Sequence, residues 1–235
     1  MDVDSHSGQW SVISGRWPVV GGRLIKVTAG DYRFLSTTIR ERMSMLITDH
    51  RPPTTDHYLS SDFFARDTIE VARDLIGTTL VVGNCEGRII ETEAYTTDAA
   101  SHAVTRRNQA AIMRETFGHV YVYLIYGMYY CLNFTSDKSG PGAVLIRAVE
   151  PQAGVEEMIR RRGTRDLRKL ASGPGRLCQA FEIDLKLNGK RIGREIKVKE
   201  RSEEKRVASS ARIGITSATE LEWRFFEAGN RFVSR

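Results

Sequence analysis

Between Val120 and Phe134 runs a stretch of tyrosine, valine, leucine and isoleucine, interrupted by Gly127. β-Branched and aromatic residues suit a pleated, half-buried surface. The stretch therefore predicts one long strand, or a hairpin broken at Gly127, where the missing side chain lets the backbone bend sharply. Either outcome commits the chain to a sheet. Leu80 to Val82 and Arg88 to Tyr95 read as strands around a Gly-containing turn, and Ala143 to Ala148 as another. Leu185 to Lys199 reads as a hairpin turning at Asn188-Gly189, with Ala211 to Ile215 and Arg224 to Phe226 closing the sheet. Helical periodicity appears over Phe63 to Thr78, capped by Ser61 or Asp62, with Val71, Leu75 and Ile76 on one face. Shorter helices are expected at Asn108 to Glu115, Gly154 to Arg162 and Arg176 to Phe181. Strands running into strands with helices between them give an α+β class. The expected form is a single compact domain with a curved, mainly antiparallel sheet and surrounding helices over residues 58–235. Residues 1–57 read as an N-terminal extension outside the core. They carry Gly21-Gly22, a basic stretch from Thr38 to Arg42, Pro52-Pro53 and a possible hairpin over Trp17 to Val27.

Charge narrows the partner. Lysine and arginine number 35 against 29 aspartates and glutamates, a net charge of +6. That balance makes nucleic acid a candidate partner. The three cysteines, Cys85, Cys131 and Cys178, form no CxxC pair, so neither a zinc ribbon nor a disulfide framework is indicated. A reducing compartment fits. No run is apolar enough to span a membrane, and Met1-Asp2-Val3-Asp4 is unlike a secretory signal. The expected location is cytoplasmic, beside the nucleoid in a prokaryote.

Alternation in a strand places Ile89, Glu91, Glu93 and Tyr95 on one face. The two carboxylates then stand roughly 7 Å apart beside an aromatic ring. One reading is a solvated strand face; the other is an acid or base at the lip of an aromatic pocket, with a raised pKa. His102 follows after a short loop. Glu91, Glu93, Asp98 and His102 match no recognised metal spacing, so no metal is expected. Tyr121, Tyr123, Tyr126, Tyr129 and Tyr130 exceed what one core strand needs. A ring at the Gly127 bend, Tyr126, suits a wedge between base pairs, and the others suit stacking on an extruded base.

Three strings occur in order: Glu91-Thr92-Glu93-Ala94-Tyr95, then Ser101-His102-Ala103, then Tyr121-Val122-Tyr123 leading to Ile125-Tyr126-Gly127-Met128-Tyr129. Together they closely resemble the 3-methyladenine (alkyladenine, methylpurine) DNA glycosylases. Residues 143–151, Ser172-Gly173-Pro174 and Ala211 to Ile215 resemble them too, and the likeness runs from about Leu59 to Ser234. The resemblance implies a monofunctional, monomeric glycosylase that needs no cofactor. It would flip alkylated or deaminated purines out of double-stranded DNA and hydrolyse the N-glycosidic bond. Glu93 is then the catalytic base and Arg147 helps position the attacking water. Tyr95, His102 and Tyr123 wall the base pocket, Asn133 lies on its floor, and Tyr126 intercalates. No role is implied for Glu91.

Two departures lie near the pocket mouth. The loop from His102 to Asn108 is short, and the segment from Ile112 to Gly118 lacks the usual Pro-Gly. Arg160, Arg161, Arg162, Arg165, Arg168, Lys169, Arg176, Lys190, Arg191 and Arg194 are candidates for phosphate contacts. Two other functions compete. A non-catalytic nucleic-acid binding module would leave Glu93 dispensable, and a metal-dependent hydrolase would use Glu91, Glu93, Asp98 and His102. Because the resemblance begins near Leu59, after Met43 and Met45, deleting residues 1–44 is expected to leave folding and base release intact. Comparing melting temperature and excision of the shortened and full chains checks this.

Overall fold

The computed structural model describes residues 57–234 and, apart from these, two short strands, β1 (Val19–Val20) and β2 (Arg23–Leu24). These pair antiparallel within the span expected to form a hairpin. The remainder of the expected extension before His57 lies outside the described residues.

The region expected as one helix from Phe63 to Thr78 forms two, α1 (Ser61–Phe64) and α2 (Thr68–Asp74). Asp67 separates them, because its side chain accepts from the N–H groups of Ile69 and Glu70 and so starts a new helix. Ser61 and Asp62 fall inside α1 rather than capping it. Val71, Leu75 and Ile76 are fully buried, as their spacing demands.

Eight strands follow: β3 (Thr79–Val82), β4 (Cys85–Tyr95), β5 (Val120–Ile125), β6 (Tyr129–Ser136), β7 (Gly142–Ala153), β8 (Ile196–Lys199), β9 (Val207–Ser210) and β10 (Arg224–Glu227). Every pairing in this sheet is antiparallel. The path runs β5-β6-β7-β4-β10-β9, and β3 joins β4 to β8. The eleven-residue β4 is the spine. β7 covers one edge for most of its length, while the other edge meets β3 at its start and β10 towards its end.

The β4–β7 ladder carries two opposed bulges near its middle. Ile89 pairs with Val149 but Glu91 with Ala148, so Ile90 is an extra residue on β4; Thr92 then pairs with Ile146, so Arg147 is an extra residue on β7. Arg147 keeps the face of Leu145, the partner of Glu93, and so points towards the glutamates. The Arg147 carbonyl, left out of the ladder, accepts from Gly173 N at 3.0 Å.

The main core lies between the sheet and α2, α5 (Val155–Arg162) and α6 (Pro174–Phe181). Phe64, Phe134, Phe181, Leu80 and Ile146 are among its fully buried side chains. A smaller cluster gathers Ala103, Ala110, Met113, Tyr121 and Ala143 under α3 (His102–Thr105) and α4 (Ile112–Glu115). Among the described residues no helix is long and apolar enough to cross a membrane.

Two expected elements differ. Leu185 to Lys199 is not a hairpin. Leu185–Leu187 is a single 3-10 turn, and the chain after it pairs with the edge of β5 instead of with itself. Gly189 N donates to Val120 O, Val120 N to Lys190 O, and Val122 N to Asn188 Oδ1. Ala211 to Ile215 is not a strand either, since β9 ends at Ser210. The N–H of Ile213 is spent on the Glu93 side chain, so it is not available to a ladder.

Candidate active site

Glu91 and Glu93 have no solvent exposure. Carboxylates so placed need compensating charge or hydrogen bonds. Glu93 receives three. Tyr95 Oη donates to Oε2 at 2.8 Å, Ile213 N donates to Oε1 at 2.7 Å, and Arg147 Nη1 stands 3.3 Å from Oε1. Burial is the largest influence on Glu93 and pushes its pKa above the ordinary glutamate value, against the pull of Arg147, Ile213 N–H and Tyr95. A buried carboxyl tuned upwards is a better proton acceptor near neutral pH.

Beside this pair opens a cavity of about 1160 Å³. It is larger than an ordinary small-molecule pocket of about 300–1,000 Å³, because a basic groove continues from it. Tyr95, His102, Tyr123, Tyr126, Asn133 and Arg147 all line it. Glu93 stands immediately behind the lining, screened by Tyr95, Arg147 and Ile213, all three of which face the cavity. One reading of the glutamate strand, a solvated face, is thereby excluded.

The aromatic wall is rigid. The Tyr95 ring is backed by the Arg212 guanidinium at 4.6 Å, which also lies 5.3 Å from Trp223. Arg212 is fixed in turn by Asp98 Oδ1 at 2.7 Å and by the Ala94 carbonyl at 2.9 Å. His102 packs edge-on to Tyr123 with centroids 4.5 Å apart, and its Nδ1 bonds Tyr121 Oη at 2.9 Å. Burial, with Arg106 adding to it, lowers the His102 pKa to about 4, so the ring is neutral at pH 7. Burial likewise pushes Tyr121 up to about 12 and raises Tyr123. Asn133 commits its Nδ2 to the Tyr121 carbonyl at 3.0 Å and the Cys131 carbonyl at 3.4 Å, so its amide oxygen is not spent on those bonds.

Tyr126 stands at the tip of the β5–β6 hairpin, 80% exposed, with φ +53 followed by φ +68 at Gly127. A left-handed conformation is unusual for an aromatic residue and tends to persist at functional positions. The cavity also takes in Arg162, Arg168, Lys169 and Arg176 from the expected basic set, and Arg231. Lys190, Arg191 and Arg194 do not line it, and Arg161 is occupied with Glu157, Glu182 and the Ala180 carbonyl. Glu91, Glu93, Asp98 and His102 do not converge as a metal site: the first two face Arg147, Asp98 faces Arg212 and His102 faces Tyr121.

Residues 62–231 match the family described as methylpurine-DNA glycosylase. The chain belongs to this family. A Rhizobium etli protein provisionally named 3-methyladenine DNA glycosylase is 48% identical over 178 residues, covering 74% of this chain and 87% of the relative. A Rhizobium meliloti relative of the same name is 47% identical over 187 residues, covering 76% of this chain and 98% of the relative. One from Methanoculleus marisnigri is 42% identical over 192 residues, 75% of this chain and 98% of its own. This methylpurine-DNA glycosylase is therefore a DNA repair enzyme of base excision, with DNA as substrate and alkylated purines as the bases removed.

Sequence reasoning missed Arg212, Ile213, Arg224 and Ser234, which hold the glutamates and the wall. Their partners lie more than a hundred residues away in the chain, and one of the contacts is a backbone N–H. His102 gives the site a pH signature. Between pH 6.5 and about 4 the unfolded chain binds a proton that the folded ring refuses, so the His102 contribution falls as pH falls through that window. His102→Gln is expected to reduce the loss of stability between pH 7 and pH 5. Urea midpoints at both pH values test it, and an unchanged loss would count against the assigned neutral ring.

Proposed function

We propose that this glycosylase is monofunctional, a hydrolase that attacks the deoxyribose carbon with water and leaves an abasic site in duplex DNA. The observation that carries the reading is Glu93: a buried carboxyl of raised pKa, held by three donors, immediately behind an aromatic cavity. Glu93 takes a proton from the water as the new carbon–oxygen bond forms. The N-glycosidic bond breaks, and its electron pair leaves with the base. An alkylated purine that is already cationic departs neutral, so one carboxylate suffices where sugar hydrolases use two. A lyase would need an amine to form a Schiff base. The cation on Glu93 is a guanidinium, Arg147, which supports simple hydrolysis.

The wall suits a cationic guest. Tyr95 and Tyr123 offer π faces, whose attraction for a cation is of order 0.5–2 kcal/mol, and His102 stays uncharged at pH 7. Asn133, at the buried end of the hairpin, would screen the exocyclic groups of the purine. Tyr126 would enter the gap left by the flipped nucleotide, and the Arg162, Arg168, Lys169, Arg176 and Arg231 side of the groove would follow phosphates.

Glu93→Gln is expected to lower single-turnover release of methylated purines by about 10²–10⁴ while DNA affinity stays near wild type. Excision at the wild-type rate would refute the base. Tyr126→Ala is expected to weaken binding to lesion duplexes by about tenfold or more, since stacking on bases is worth ~1–3 kcal/mol. Binding to undamaged duplex and the melting temperature should change little, because the ring is exposed. Equal losses on both DNAs would count against the wedge.

A further inference from the structure

Glu91 is fully buried two residues from the reacting carboxylate, on the same strand face. Its four hydrogen bonds come from distant parts of the chain. Arg147 Nε on β7 donates at 3.0 Å and Arg224 Nε on β10 at 2.7 Å. Ser234 donates both its backbone N–H, at 2.7 Å, and its hydroxyl, at 2.8 Å. Ser234 Oγ in turn accepts from Arg147 Nη2 at 3.3 Å. Arg147 therefore gives Nε and Nη2 to the Glu91–Ser234 pair and Nη1 to Glu93. A planar guanidinium held at two nitrogens has little freedom to swing.

We propose that Glu91, anchored by Arg224 and Ser234, is a positioning residue for base excision: it draws Arg147 onto itself and limits how tightly that cation pairs with Glu93. The inference rests on the reading of Glu93 as the base. A base fully paired with a guanidinium would hold its negative charge and take protons poorly, whereas a buried carboxyl with no cation would keep its own proton. Sharing one guanidinium between two acids keeps Glu93 between those limits. The groups that face Glu93 are Glu91 and Tyr95 from β4, Arg147 from β7, Cys131 from β6 and the Ile213 N–H from the loop after β9. Tyr123 of β5 reaches it only through Tyr95 and Cys131. Among these described groups, Arg147 brings the positive charge to Glu93 and Glu91 competes for it.

The test uses the full chain and DNA treated with dimethyl sulfate, whose 7-methylguanine and 3-methyladenine are permanently cationic. The acid limb of the single-turnover pH profile then reports the enzyme's base, not protonation of the leaving base. Four variants are compared with wild type: Glu93→Gln, Glu91→Gln, Glu91→Gln combined with Arg224→Gln, and Ser234→Ala. The double variant removes the buried anion together with its second cation, so charge in the core stays balanced. Ser234→Ala keeps every charge and the backbone bond to Glu91, and so guards against loss of folding in the others; melting temperatures are measured for all.

In both Glu91 variants the acid limb is expected to move about one pH unit lower, because Arg147 is released to Glu93 and a like charge is gone. The plateau rate should fall on the order of tenfold as the base weakens. Ser234→Ala should shift the limb the same way by less. A residue with only a structural role would lower the melting temperature and leave the limb in place. A limb at the wild-type pH in Ser234→Ala and in whichever Glu91 variant folds overturns the inference. If Glu93→Gln excises like wild type, the reading of the base fails instead.

Discussion

Two carboxylates with no exposure, side by side on one strand, have to be neutralised from elsewhere in the chain, and much of the domain is arranged to do it. An unpaired buried charge is strongly destabilising. β7 supplies Arg147, β10 supplies Arg224, the loop after β9 supplies a backbone N–H, and Ser234 supplies two more donors. The sum of charge in the group is zero, with two acids and two guanidiniums. Sheet order follows from the same requirement. β4 lies between β7 and β10, so both cations reach one face of one strand. The segment beyond β10 is held by Glu91, which ties Ser234 to the strand that carries Glu93.

The cavity in front of this group is lined differently. Tyr121 and Tyr123 keep their protons and His102 is neutral at pH 7, so the aromatic part of the wall offers polarisable, uncharged faces. Glu93 is screened behind Tyr95. Arg212, stacked on the far side of Tyr95, is held by Asp98 and Ala94 and keeps the ring in one plane.

Much of the site was legible because it lies in short, regular stretches. Alternation placed Ile89, Glu91, Glu93 and Tyr95 on a common face; the last three share it, but the bulge at Ile90 puts Ile89 in the main core with Ala94. The Gly127 interruption marked the tip that carries Tyr126. What failed shows why. Leu185 to Lys199 has the turn dipeptide of a hairpin, but its backbone found better partners on β5. Ala211 to Ile215 has the composition of a strand, yet its polar groups serve Glu93, Asp98 and Ala94. Local pattern carries no information about such distant claims on a backbone N–H. Nor does it reveal the bulges at Ile90 and Arg147, because both arise from how β4 and β7 pair.

The two bulges have a consequence for how such a site arises in a sheet. The extra residue on β4 and the extra residue on β7 cancel, so Glu93 to Tyr95 pair with Leu145 to Ala143 in the same register that Ile89 keeps with Val149. The register shift of this pair is thus confined to a window a few residues long, while the alternation of each strand reverses across it: Ile89 and Ala94 on β4, like Val149 and Ile146 on β7, all belong to the main core. A single insertion would have left the two strands one residue out of register beyond it. A matched pair restores the register, and Arg147 stays on the face of Leu145, whose partner is Glu93, so it reaches both glutamates. Removing Ile90 and Arg147 together would restore an unbroken ladder and leave Glu93 without its guanidinium.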